Sequence, residues 1–158
     1  MRVGEICKRA VVSVDNTVDI VDAARLMREQ HVGFLVVLKQ GDTRRRPIGV
    51  ITDRDIVLQI TAQDINPRLV TVEDAMTAQP LIANEADDVG EVLQAMRFAG
   101  IRRVPVVDVR GSLIGIIAID DAIDYIAGLL CDITGSIQNE QRQEWRARPV
   151  IKTQRAAS

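Results

Sequence analysis

One pattern runs through this chain twice. Residues 3–38 align without a gap with the residues 69 positions later, and from Ile48 to Ile56 the alignment resumes at an offset of 66. In this register Ala23, Ala24, Leu26 and Met27 match Val92, Leu93, Ala95 and Met96, while Leu35, Val36, Val37 and Leu38 match Val104, Pro105, Val106 and Val107. Identities are few, but apolar positions recur in phase, as a duplicated supersecondary unit requires. The change of offset falls in residues 40–47, a polar stretch with one Gly and three consecutive Arg. A hairpin loop there can change length without disturbing a core.

Each half is only about 60 residues, too short to bury a comfortable core alone. The halves are therefore expected to share a core across a pseudo-twofold axis, as one module. Charge divides differently. Residues 1–140 carry 15 basic and 21 acidic side chains, whereas residues 141–158 carry five basic and one acidic. The end of the chain reads as a polar helix that frays into a basic tail. Cys7 and Cys131 lie in no C-x-x-C pattern, so neither a zinc site nor a disulfide framework is expected, and a reducing cytoplasm fits. No apolar run approaches the roughly 20 residues of a membrane span, and residues 1–10 alternate charge with apolar side chains unlike a signal peptide.

In the first copy, residues 11–14 read as a strand, and Thr17 as the N-cap of a helix carrying Ile20, Ala23, Ala24, Met27 and His31 at helical spacing. Gly33 is expected to stop that helix. Residues 34–38 and 48–51 then form a hairpin, and residues 52–62 a second helix. The second copy repeats the order, with strands at 81–83, 103–107 and 113–118, helices at 87–99 and 120–130, and breaks at Gly100 and Gly111. The fold class is thus α+β, built from two β-α-β-β-α units. The boundaries read as 1–66, 67–132 and a terminal 133–158.

The strings IRRVPVVD (101–108), GSLIGIIAIDD (111–121) and IGVITDRD (48–55) resemble the cystathionine-β-synthase, or CBS, domain. The resemblance covers residues 1 to about 132, and the sequence resembles the small stand-alone bacterial proteins that consist of one tandem pair, a Bateman-type module. It implies two clefts that bind an adenine nucleotide of the AMP, ADP or ATP class, with NAD or S-adenosylmethionine as less favoured ligands and no metal. In the first copy it implies that the Asp55 carboxylate accepts hydrogen bonds from ribose hydroxyls while Thr52 lies near the sugar or phosphate. Taken alone, Thr-x-x-Asp before an apolar helix is a capping box. The two roles are compatible, because a helix N-terminus also favours a phosphate.

By family geometry the first cleft combines Phe34, Thr52, Arg54 and Asp55 with Leu81, Ile82 and Ala83 beside the base. The second combines Arg102, Arg103 and Asp121 with Val12, Ser13 and Val14. That second copy departs from the pattern: Ala118 replaces Thr52, and Asp120 stands at the position of Arg54. The first cleft is accordingly expected to recognise adenosine. The second would hold a phosphate-rich ligand, stay empty or serve structure alone.

His31 is the sole histidine, which excludes a histidine-based metal cluster or a Ser-His-Asp triad within one chain. It is assigned to helix-end packing, and Arg44, Arg45 and Arg46 to a solvated hairpin tip. One Trp, one Tyr and two Phe supply few stacking platforms, so nucleic acid is not an expected partner. The reading is a non-catalytic sensor, homodimeric through its helices as a flat disc, that signals to a separate effector protein. The competing reading is a structural adaptor whose clefts are vestigial, and an enzyme lacks any nucleophile paired with a base.

Overall fold

The structure is a computed structural model and describes residues 1–147, so the expected basic tail lies, from residue 148 on, outside the described residues. The chain divides into a compact unit, Met1–Ala122, and a second unit that begins at Ile123. In the first repeat α1 (Val3–Ile6), β1 (Ser13–Asp15), α2 (Ile20–Gln30), β2 (Phe34–Leu38), β3 (Pro47–Thr52) and α3 (Asp53–Asp55) follow in order, and α3 runs on into a π-helical turn at Ile56–Thr61. The second repeat holds α4 (Val72–Ala75), β4 (Thr77–Ala78), β5 (Ala83–Asn84), α5 (Val89–Ala99), β6 (Arg103–Val107), β7 (Leu113–Ala118) and the start of α6 (Ile119–Ala147).

Two small sheets result, β1-β2-β3-β4 and β5-β6-β7. In each, the first strand lies parallel to the second and the second antiparallel to the third. The uninterrupted apolar run of β2 is buried on both faces, whereas β3 alternates buried and half-buried positions. That difference is what a strand covered on two sides and one covered on a single side should show. Val36 and Leu38 of β2 join Leu113 of β7 in one apolar cluster, so the two repeats share part of their core.

The hairpins occupy the expected residues, but the helix ends differ. Thr17 is not the cap of α2: Asp19 is, its Oδ1 accepting from Asp22 N at 2.9 Å. The helix stops at His31, which takes the left-handed conformation (φ 54°) two residues before Gly33, as Gly100 does at the end of α5 (φ 66°). The His31 side chain is exposed, so the residue ends the helix through its backbone and not by packing. Both first strands start two residues later than the apolar pattern indicates, and Val11, ahead of β1, packs against the cluster shared between the sheets. α6 continues far past Leu130, to Ala147.

The repeats also exchange their first turns. Val3 is fully buried among Ala83, Val89, Val92 and Met96 of the second repeat, and Val72 among Ile20, Ala23 and Leu35 of the first. The backbone follows the same symmetry. Val3 N donates to Asp87 O and Gly4 N to Glu85 O, each at 2.9 Å, while Val72 N donates to Val18 O at 2.8 Å and Glu73 N to Asn16 O at 3.0 Å. Beyond each turn the chain joins the other repeat's sheet: Thr77 pairs with Val50, and Lys8 bridges Ile116.

Candidate functional site

β3 delivers Thr52 to the head of α3, where the backbone leaves donors unsatisfied. Asp55 Oδ2 accepts from Thr52 N at 2.9 Å and from Thr52 Oγ1 at 2.7 Å, and Thr52 Oγ1 accepts in turn from Asp55 N at 3.1 Å. Both bonds to the carboxylate fall on Oδ2. Oδ1 has no partner among the described residues and, with Asp55 half-buried, is the atom left to accept from a diol. Phe34 stands opposite Thr52 in the β2–β3 ladder, so these two are brought together, and Arg54 is exposed on α3. Gly33 matters here for its missing side chain: a Cβ would lie 2.5 Å from Asp53 Oδ2, so the Asp53 carboxylate occupies that space.

The same box occurs where no ligand is expected. Thr71 N and Oγ1 donate to Asp74 Oδ2 at 2.9 and 2.7 Å at the head of α4, and the Thr71 hydroxyl holds the Asp74 carboxyl below the usual Asp value. Capping therefore accounts for the bonds within Thr52–Asp55. The open Oδ1 is what capping leaves over.

Leu81, Ile82 and Ala83 meet Asp87, Glu91, Val92, Ala95 and Val104 around a cavity of about 210 Å³. That is smaller than the 300–1,000 Å³ usual for a ligand pocket. Ala83 is itself buried in the second repeat's core, whereas Leu81 and Ile82 are partly exposed. The chain reaches this segment along β3, with Gln79 N donating to Ile48 O at 3.1 Å.

In the second copy Arg103 faces Ala118 across the β6–β7 ladder, and Arg102 reaches Asp120 at 3.8 Å. Asp121 Oδ2 accepts from Ala118 N at 2.9 Å, the counterpart of the Thr52 backbone bond. Its Oδ1 meets the Lys8 ammonium at 2.7 Å, with the Asp121 side chain only 4% exposed. Lys8 was not among the expected site residues. Val14 points into the first repeat's core, Val12 packs on that core's edge, and Ser13 lies by the hairpin loop, its Oγ accepting from Arg45 at 3.4 Å. That loop is not a free tip, because the Arg45 carbonyl accepts from Leu113 N of the other hairpin at 3.1 Å.

Burial pushes the Cys7 thiol up, with Arg9 pulling the other way, so it stays protonated at neutral pH. No group of three His, Cys, Asp or Glu that could hold a metal ion occurs among the described residues, and none of their helices is long and apolar enough to cross a membrane.

The family model for the CBS domain matches residues 3–62 and again 72–128. The chain belongs to the CBS domain family. Both matches begin at the exchanged turns, at Val3 and Val72. An uncharacterized protein of the archaeon Methanopyrus kandleri is 37% identical over 142 residues, 89% of this chain and 70% of the relative. CBS pairs of this kind are thus not confined to bacteria. Among solved structures, a CBS domain protein from Pyrobaculum aerophilum complexed with AMP is 30% identical, with TM-score 0.69 over 77% of this chain and 89% of that one. The CBS domain pair of protein MJ0100, in complex with 5′-methylthioadenosine and S-adenosyl-L-methionine, is 25% identical, with TM-score 0.69 over 80% of this chain and 99% of that one.

Proposed function

We propose that this CBS pair is a non-catalytic cytoplasmic sensor that binds an adenine nucleotide of the AMP, ADP or ATP class in its first cleft and passes the binding event to a partner protein. The observation that carries the reading is the half-engaged carboxylate of Asp55. Thr52 orients it through Oδ2, and Oδ1 stays available for the vicinal hydroxyls of a ribose. In this reading Phe34 and Arg54 complete the near side, and Leu81, Ile82 and Ala83, which line a cavity with Asp87, Glu91 and Val92, supply apolar wall and backbone for a purine edge. The AMP complex of one CBS neighbour and the S-adenosylmethionine complex of another support adenosine as the recognised part. A ligand that grips both repeats shifts their relative arrangement only by its difference in affinity for the two states, and about 1–3 kcal/mol suffices for regulation. The two free cysteines fit a reducing compartment.

Calorimetric titration with AMP, ADP, ATP, NAD and S-adenosylmethionine tests this. Saturable binding by at least one, abolished in Asp55→Ala and retained in Asp74→Ala, is the expected result. The Asp74 variant removes the same capping box elsewhere, so it separates ligand contact from helix capping. Silence across the panel would leave the adaptor reading in its place.

A further inference from the structure

The two clefts differ by a reciprocal replacement. Where the first has Thr52, the second has Ala118, and where the first has Thr77, the second has Lys8; the offsets of 66 and 69 pair these positions. The backbone around them is equivalent. Thr77 pairs with Val50 and Lys8 with Ile116, again 66 apart. The consequence falls on one atom. Asp55 keeps Oδ1 available, but the same oxygen of Asp121 is taken by the Lys8 ammonium at 2.7 Å.

We propose that Lys8 is a built-in occupant of the second cleft, which restricts the chain to one adenosine site, in the first. The inference rests on reading these carboxylates as diol acceptors. Ala118 removes the hydroxyl that would orient Asp121, and the lysine supplies a charge-assisted bond in its place. A carboxylate 4% exposed needs such a partner, since a buried unpaired charge is strongly unfavourable. A ribose diol can reach Oδ1 only by displacing the ammonium, trading an ion pair for two neutral donors. The Lys8 backbone is held on β7 by reciprocal bonds with Ile116, each 2.9 Å, so the ammonium is delivered from a fixed point.

Stoichiometry reads this directly. In titrations with the same five compounds, the wild-type protein is expected to bind one equivalent per chain. Lys8→Thr, which installs the residue found at the matching position, is expected to bind two, and adding Asp121→Ala to it is expected to return the value to one. If Lys8→Thr fails to fold by circular dichroism, Lys8→Ala serves, since the bridge to Ile116 uses backbone atoms alone. Two equivalents in the wild type overturn the inference without any variant, as does a lysine variant that gains none. The first-cleft reading fails separately: a wild type that binds nothing, with a lysine variant that binds one equivalent lost with Asp121→Ala, refutes that reading and leaves the lysine's role standing.

Discussion

Gly49 and Gly115 stand 66 residues apart, in the middle of β3 and β7, where the exchanged segment of the other repeat crosses closest. A Cβ at Gly115 would lie 2.9 Å from Cys7 Sγ and 3.0 Å from the Lys8 carbonyl oxygen; at Gly49 it would strike Met76 Sδ and come within 3.2 Å of the Thr77 carbonyl. At both positions the added methyl would face a backbone carbonyl held by strand pairing, which cannot move aside as a side chain can. Gly115→Ala and Gly49→Ala are therefore each expected to destabilise by about 1–3 kcal/mol, measured as midpoints of urea unfolding. An unchanged midpoint in either variant would mean that the crossing segment there is not held rigidly. At this scale Thr52 and Asp55 were readable because a side-chain pair at fixed spacing followed a recognisable strand. Lys8 was not, since it lies in a short segment without periodicity, and its signal is a correlation with Ala118 that only the three-dimensional pairing reveals.

The elements most easily read were those whose burial is simplest. β2 and β6 are continuous apolar runs, and β3 and β7 alternate, so all four hairpin strands were located within about a residue. Helix ends depend on single caps, and there Asp19 and His31 displaced Thr17 and Gly33. The turn after Asp55 is π-helical, with Ala62 N donating to Val57 O at 2.8 Å, a spacing that a 3.6-residue pattern cannot anticipate. α6 runs through the expected helix at 120–130 into the expected polar terminal helix as one element, and Ile133 and Ile137 carry its apolar stripe past Leu130. Along it Ile123, Ile126, Leu130, Ile133 and Ile137 recur at intervals of three and four and are each 50–58% exposed. Such spacing is a coiled-coil seam, and Ala127, Thr134 and Ser136 beside it carry no charge to oppose an identical seam. The occupant we propose for this seam is a second copy of this chain, since an identical seam is self-complementary. Sedimentation is expected to show a dimer for the wild type and a monomer for Leu130→Asp combined with Ile133→Asp; an unchanged dimer would assign association to another surface.

At the scale of the molecule, duplication was plain in the sequence but exchange was not, because the repeat register is identical whether α1 packs on its own sheet or on the other. The structure decides it: α1 fills the second repeat's core and α4 the first's. Each core then depends on a residue from the other half, Val3 at one and Val72 at the other, both 0% exposed. Neither half can close its core alone, so weakening an exchanged turn should open the half whose core it fills. Val72→Ala removes two buried methyl groups, a loss of about 2 kcal/mol with its cavity. Although Val72 belongs by sequence to the second repeat, the amides it deprotects first should be those of β2 and β3. Val3→Ala should reverse this, exposing β6 and β7. Hydrogen exchange of the two variants under native conditions measures both, and deprotection confined to the mutated residue's own repeat would show that the halves fold independently and that the exchanged turns are dispensable.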